Sequence, residues 1–209
     1  APDTMATMVS NHDAFAGKRL WDAMGGDPAR VRLAAASYLL QPGTPYVYYG
    51  EELGMSAAAE PDGDGKLRGP MSWTPTGGFS TGKAARAAST NLATHNAQAE
   101  QADPGSMLAF YTAMLHLRNT LPAIARGSYL APRVAGRVMS FQRVWQDQRA
   151  VVVLNYGEQA ASAAVDGLPP NARLQRVFPA EAAPVAADAR GAASIPAAAL
   201  SEQVFVVVR

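Results

Sequence analysis

The chain has 209 residues, 48% of them hydrophobic and 17% charged, with a formal net charge of +1. That balance is ordinary for a globular chain and gives no electrostatic basis for nucleic acid or an anionic membrane surface as partner. No apolar run reaches the roughly 18 residues that span a bilayer, and the absence of cysteine excludes disulfides and cysteine-based zinc sites.

In chain order, Met5, Met8 and Val9 form a short apolar run that ends in Asn11-His12-Asp13. A buried parallel strand delivers an active-site carboxylate at its C-terminal end in this way. The other reading is a strand-end turn in which Asn11 and Asp13 serve the backbone. Asp27-Pro28 then reads as an N-cap with proline at the first helical position. Val31, Ala34, Ala35, Tyr38 and Leu39 follow at helical spacing, and Gln41-Pro42-Gly43 stops the stripe. Residues 45 to 49 are continuously apolar, too short for a helix and flanked by turn residues. They read as a buried strand, set parallel to the first by a right-handed crossover.

From Gly54 to Ala102 no periodicity is sustained, and a connection of that length inside a compact domain is usually functional. Within it, Glu60, Asp62 and Asp64 offer three carboxylates. Ca²⁺ takes about six to eight oxygens, but the loop with a terminal glutamate that such a site needs is missing, so a solvated acidic turn is the preferred reading. Trp73 either lines a ligand subsite or anchors its own loop. Asp103-Pro104 repeats the N-cap signal, and Met107, Phe110, Tyr111, Met114 and Leu115 continue as a helical stripe to about Asn119, closed by Leu121-Pro122. His95 and His116 have no metal-ligand spacing to other candidate ligands, so no metal site is expected. After Gly127 the pattern changes to short β-prone runs at 128–130, 137–145, 149–155, 159–165, 173–178 and 203–208, with a hairpin at Gln146-Asp147-Gln148. The Ala- and Pro-rich residues 180 to 199 read as a long surface connection.

Several spaced segments together resemble the α-amylase superfamily of glycoside hydrolases. They are Ser10-Asn11-His12-Asp13-Ala14-Phe15-Ala16-Gly17, the run from Leu40-Gln41-Pro42-Gly43 to Tyr48-Tyr49-Gly50-Glu51-Glu52-Leu53-Gly54, Arg68-Gly69-Pro70-Met71-Ser72-Trp73, and Asp103-Pro104-Gly105-Ser106 with Leu117-Arg118-Asn119. The resemblance covers residues 5 to 130 and implies that residues 5 to 13 and 45 to 50 are the seventh and eighth strands of a (β/α)₈ TIM barrel. Such a barrel takes about 250 residues alone. The expectation is therefore an α/β plus all-β chain: residues 1–126 as the C-terminal part of a catalytic barrel, and residues 127–209 as an antiparallel β-sandwich domain.

The resemblance further implies a retaining enzyme acting on α-linked glucans or oligosaccharides, with Asp13 as transition-state stabiliser and His12 as a hydrogen-bond partner at the same sugar. Glycosidic cleavage needs two further carboxyl groups, and the family places them on earlier strands, outside this chain. The chain alone is thus expected to be inactive. Its expected partners are the substrate and either the missing N-terminal barrel portion or a second copy. Asn11, Phe15 and Arg19 are the other expected substrate-binding residues. For residues 14 to 26 two readings stand: a sugar-cleft wall of Phe15, Arg19 and Trp21, or aromatics that fold the loop onto the barrel rim. In many relatives a Gln and an Arg follow the aspartate, where Ala14 and Phe15 stand here. No cofactor is required, and Ca²⁺ has no ligand motif behind it. The alternative function is a non-catalytic carbohydrate-binding or structural domain.

Overall fold

The computed structural model describes residues 5–60, 62–180 and 183–208. Pro61 of the acidic turn, and Glu181 and Ala182 of the Ala- and Pro-rich segment, lie outside the described residues. The chain forms two compact units. One comprises Ala6–Leu39 and Thr44–His116; the other comprises Met5, Leu40–Gly43 and the chain from Leu117 onward.

In the first unit β1 (Ala6–Thr7) and β2 (Thr44–Pro45) run parallel, with Ala6 opposite Thr44 and Thr7 opposite Pro45. The ladder is shorter than the apolar runs predict. Pro45 has no N–H to donate, and β1 and β2 have only each other as strand partners among the described residues. After Tyr46 N–H donates to Thr7 O at 2.8 Å, the chain leaves the pairing. In this unit Tyr46 is 56% exposed and Met8 and Val9 are exposed too, where buried strands were expected.

The short α1 (Leu20–Ala23) precedes α2 (Pro28–Leu39). The cap of α2 is the predicted one: Asp27 Oδ1 accepts from Ala29 N–H at 2.9 Å and Arg30 N–H at 3.3 Å. Pro28 costs nothing there because first-turn N–H groups have no helical partner. Val31, Leu33, Ala35, Ala36, Tyr38 and Leu39 are its buried residues, while Ala34 of the predicted stripe is only half-buried. The long connection that follows holds a 3₁₀ turn over Gly63–Leu67 and then α3 (Ala97–Ala102), six residues without an apolar stripe that the periodicity does not reveal. Asn96 caps α3, accepting from Ala99 N–H at 3.0 Å.

The next helix, α4 (Met107–Thr120), begins later than Asp103-Pro104 suggested. Asp103 closes a turn onto Gly105 N–H instead. The cap is shared by Ser106, which accepts from Ala109 N–H at 3.0 Å, and by Glu100, whose carboxylate accepts from Met107 N–H at 2.8 Å and Leu108 N–H at 3.2 Å. A carboxylate aimed at unpaired N–H groups also meets the positive end of the helix dipole.

In the second unit Pro122 starts α5 (Pro122–Arg126), where the sequence suggested only a helix stop. Gly127, the expected boundary, lies between α5 and the first strand of this unit. Among the described residues eight strands follow: β3 (Ser128–Ala135), β4 (Val138–Trp145), β5 (Gln148–Asn155), β6 (Ala161–Val165), β7 (Arg173–Phe178), β8 (Val185–Ala186), β9 (Ala193–Ala197) and β10 (Ser201–Val208). They make an antiparallel sheet in the order β3-β4-β5-β10-β7-β8 and an antiparallel pair β6-β9. The predicted hairpin joins β4 to β5, with Trp145 opposite Gln148 and Gln146 in the left-handed region at φ 53°. The edge strand β3 is irregular: its register shifts between Leu130 and Arg133, around Ala131 at φ 48° and Pro132.

Val151 and Val153 of β5, Phe205 of β10, Ala163 and Val165 of β6, and Ile195 and Ala197 of β9 form one apolar cluster shared by both sheets. Residues 180 to 199 are therefore more than a surface connection. The inward positions of β9 are Ala193, Ile195 and Ala197, and the two alanines hide the period-two alternation in an alanine-rich background. Ile195, fully buried, is the one large side chain of that strand. Ile195→Ala should cost about 2–5 kcal/mol through lost contacts and a residual cavity, measured by urea unfolding. A loss under about 0.5 kcal/mol would show that β9 is not part of the core.

Candidate active site

Ser10 to Asp13 follow β1, and the backbone folds there because Asn11 Oδ1 accepts the N–H of Asp13 at 2.7 Å. This is the strand-end turn offered as one reading, and it occupies Asn11 without occupying the Asp13 carboxylate. Asp13 Oδ1 accepts from Arg68 Nη2 at 2.8 Å and lies 3.4 Å from His12 Nε2. Arg68 Nε donates to the His12 carbonyl at 3.0 Å, and Nη2 also reaches Asp64 Oδ2 at 2.7 Å. Asp64 in turn accepts Ala14 N–H through Oδ1 at 2.7 Å. One guanidinium thus ties Asp13, the His12 backbone and the acidic turn together.

The side chains of Arg68 and Asp13 remain 39% and 29% exposed. A pair open to water to that degree contributes about 0–1 kcal/mol, so a ligand offering hydroxyl groups can compete for the Asp13 carboxylate. Among the described residues no cluster of three or more His, Asp or Glu side chains gathers as a metal site. Asp64 is spent on Arg68 and Ala14, and Asp62 faces Lys66 Nζ at 3.6 Å.

Arg19 requires a correction. Expected at the substrate, it is only 1% exposed, with Nη1 donating to Tyr49 O at 2.8 Å and Nη2 to Leu67 O at 2.7 Å. Its guanidinium carbon sits 4.8 Å from the ring centroids of both Tyr48 and Tyr49. Those rings, with Tyr48 Oη donating to Leu67 O and Tyr49 Oη to Gly69 O, make Arg19 the internal tie of the loop. Both of its Nη groups are turned toward protein carbonyls, away from solvent.

The two aromatics of the 14–26 segment part company. Trp21 packs on His95, ring centroids 4.3 Å apart, and closes over Gly54, which holds φ 63° and has no room for a Cβ. Phe15, on a 3₁₀ turn spanning Ala14–Ala16 and two positions after Asp13, is 91% exposed.

Arg68 also lines a cleft of about 610 Å³ with Tyr49, Pro70, Met71, Trp73 and Phe79. Trp73 and Phe79 are about half exposed, at 49% and 59%. The sequence singled out Trp73, but Phe79 lies in a Gly-Gly-Phe-Ser-Thr-Gly stretch whose composition signals only a loop.

Beneath the Asp13 segment lies Glu51, 3% exposed. Its carboxyl accepts from Ser10 Oγ, from Tyr38 Oη at 2.9 Å and from Tyr111 Oη at 3.2 Å. Gly50, at φ 85°, lets the chain turn into Glu51; a Cβ there would meet Met55 Sδ at 2.7 Å and Arg19 Nη1 at 3.1 Å. Burial pushes the Glu51 carboxyl up, the three hydroxyl donors oppose that, and neighbouring Glu52 adds to it.

Residues 2–127 match the family model for the alpha amylase catalytic domain. The chain belongs to the alpha-amylase family. It is 33% identical over 165 residues to alpha-amylase SusG of Bacteroides thetaiotaomicron, a match covering 74% of this chain and 23% of that protein. Neopullulanase 2 of Thermoactinomyces vulgaris is 30% identical over 151 residues, covering 71% and 20% respectively. The chain therefore spans about a quarter or less of these two alpha-amylase relatives. Trehalulose synthase MutB from Pseudomonas mesoacidophila MX-45 superposes with a TM-score of 0.75 at 23% identity, over 97% of this chain and 43% of that one. The alpha-amylase fold extends in that comparison through both units.

Glu51 generates a pH prediction. Burial raises its carboxyl above the ordinary value of 4.5, so the folded state holds that proton more tightly than the unfolded state. Stability from this group is complete below the unfolded value and is lost as pH rises through the raised one. Glu51→Gln removes the ionisation, so its stability should fall less steeply than wild type as pH rises above 4.5; Glu52, shifted the same way by burial, keeps its own share. Urea unfolding across that range checks it, and parallel curves for the two proteins would refute it. Glu51→Leu, which strands three hydroxyl groups, should cost about 3 kcal/mol.

Proposed function

We propose that this chain is the C-terminal part of an alpha-amylase-type retaining glycoside hydrolase that acts on α-linked glucans or oligosaccharides. The observation that carries the reading is a half-open carboxylate, Asp13, just beyond β1, with His12 beside it and an aromatic cleft reached through Arg68. Membership of the alpha-amylase family supports it.

In this reading Asp13 stabilises the transition state. Cleavage develops positive charge on the sugar ring, and a carboxylate held near the ring favours that charge and the distorted ring that carries it. His12 shares the same sugar. Arg68 holds Asp13 in place when the site is empty and gives up part of its hydrogen bonding when sugar hydroxyls arrive. The nucleophile and the acid/base come from elsewhere in the longer polypeptide. Glu51 is not a substitute for either, because its oxygens are enclosed by Ser10, Tyr38 and Tyr111.

The exposed Met8, Val9 and Tyr46 fit the same reading. In a complete barrel further strands flank β1 and β2 and cover such side chains; in the separate chain a second copy is the other cover. No helix among the described residues is long and apolar enough to cross a membrane.

In the longer polypeptide, Asp13→Asn keeps the size of the side chain and removes its charge. kcat should fall by orders of magnitude with little change in ground-state binding. A loss under about tenfold, or 1.4 kcal/mol, would sink the role. Residues 1–209 alone should not hydrolyse a maltooligosaccharide, and a purified monomer that does so would overturn the division of catalytic groups.

A further inference from the structure

We propose that Glu51 is a positioning residue for the Asp13 carboxylate and that it acts through the hydroxyl of Ser10. This rests on the glycosidase reading and adds to it a residue that never meets the sugar.

The two oxygens of Glu51 hold different parts of the chain. Oε2 accepts from Tyr38 Oη of α2 at 2.9 Å and from Tyr111 Oη of α4 at 3.2 Å, whereas Oε1 accepts from Ser10 Oγ. One oxygen is therefore fixed to the helices and the other to the chain that leads into Asp13. Ser10, itself buried, directly precedes Asn11, whose Oδ1 accepts the N–H of Asp13 at 2.7 Å. The Glu51 to Ser10 bond and the Asn11 to Asp13 bond thus connect the helices to the Asp13 backbone.

The other ties of this turn are open to water. Arg68 and Asp64 hold Asp13, the His12 carbonyl and the Ala14 N–H, but the side chains of Asp13, Arg68 and Asp64 are 29%, 39% and 45% exposed. Bonds at that exposure exchange readily with water and ligand. A hydrogen bond to a carboxyl group closed from water is electrostatically stronger than one at the surface. Ser10, Tyr38, Glu51 and Tyr111 all belong to the first unit, and Glu51 is already enclosed there. Further strands add cover and take none away. Contact with the sugar is closed to Glu51, and an effect through Ser10 is open to it. A group that stabilises a transition state loses on the order of 100-fold in rate when displaced by about 1 Å, so the tie should be read in kcat.

The test compares two substitutions in the longer polypeptide that carries this chain. Ser10→Ala breaks the bond on Oε1; Tyr111→Phe breaks one on Oε2, where the closer Tyr38 remains. With a maltooligosaccharide, Ser10→Ala should lower kcat about tenfold or more with KM changed less than about twofold, while Tyr111→Phe leaves kcat near wild type. The loss should vanish in the Asp13→Asn background, because Ser10 acts through the charge that this substitution removes. Glu51→Gln should lower kcat in the same direction, and Ser10→Ala should add little to it. If Ser10→Ala does not fold, Ser10→Cys, similar in size and a weak donor, takes its place with the same expectation. Equal kcat effects at Ser10 and Tyr111, a loss undiminished without the Asp13 charge, or wild-type kcat in the Ser10 variant would each overturn the proposal. Wild-type kcat in Ser10→Ala while Asp13→Asn abolishes turnover removes the positioning role alone. Intact turnover in Asp13→Asn removes the glycosidase role, and the NMR signals of the His12 imidazole, assigned by their loss in His12→Gln, then decide the other: a shift in Ser10→Ala that is absent in Tyr111→Phe keeps the Ser10 tie, and no shift overturns it.

Discussion

The first unit depends on one buried carboxyl group. Glu51 receives hydroxyl hydrogens from Ser10, next to the Asn11-His12-Asp13 turn, from Tyr38 in α2 and from Tyr111 in α4. A carboxyl group taken from water is tolerated only when its oxygens are satisfied, so the three donors and the acceptor define one another's positions. Because β1 and β2 share only two residue pairs, this polar knot fixes the chain entering the Asp13 turn more firmly than their ladder does. Gly50 permits it, since no L-residue with a side chain enters that turn without striking Met55.

Above the knot, interactions become progressively cheaper to break. Arg19 is enclosed between two tyrosines and two carbonyls, whereas Arg68, bonded to Asp13, faces water. Such a gradient is what the proposed site requires: a buried floor under the Asp13 turn, and above it a half-open ion pair whose partners exchange at little cost. Two arginines in one loop system thus serve opposite purposes, and burial alone separates them.

That distinction explains what the sequence does and does not reveal. The Asp27-Pro28 cap, the α2 stripe, the Trp145 to Gln148 hairpin and most strands of the second unit are legible because each follows from local rules of period, capping and turn chemistry. Asp13 and His12, singled out by their motif, stand side by side in the structure, and their role at a sugar remains the proposal made above. Arg19 misleads because an arginine in a polar loop looks solvent-facing until its carbonyl partners, 30 and 48 positions away, are known. The start of α4 is misread for a similar reason, since Glu100 caps it from the preceding helix. Phe79 carries no local signal at all; only the fold brings it to the cleft that Trp73 and Arg68 share. β9 is hidden by alanines that carry the inward alternation without the bulk that usually announces it.

The kink in β3 has a bearing on behaviour in a crowded solution. β3 is an outer strand of the six-stranded sheet, and its free side is where another chain would add itself by hydrogen bonding. Pro132 removes a donor from that rim, Ala131 turns the backbone out of the extended region, and the Arg133–Asp166 ion pair sets charge beside it. A neighbouring molecule therefore finds no straight row of groups to copy. An irregular rim of this kind disfavours growth of the sheet from this side, in a domain whose valine-rich central strands would otherwise invite ordered stacking.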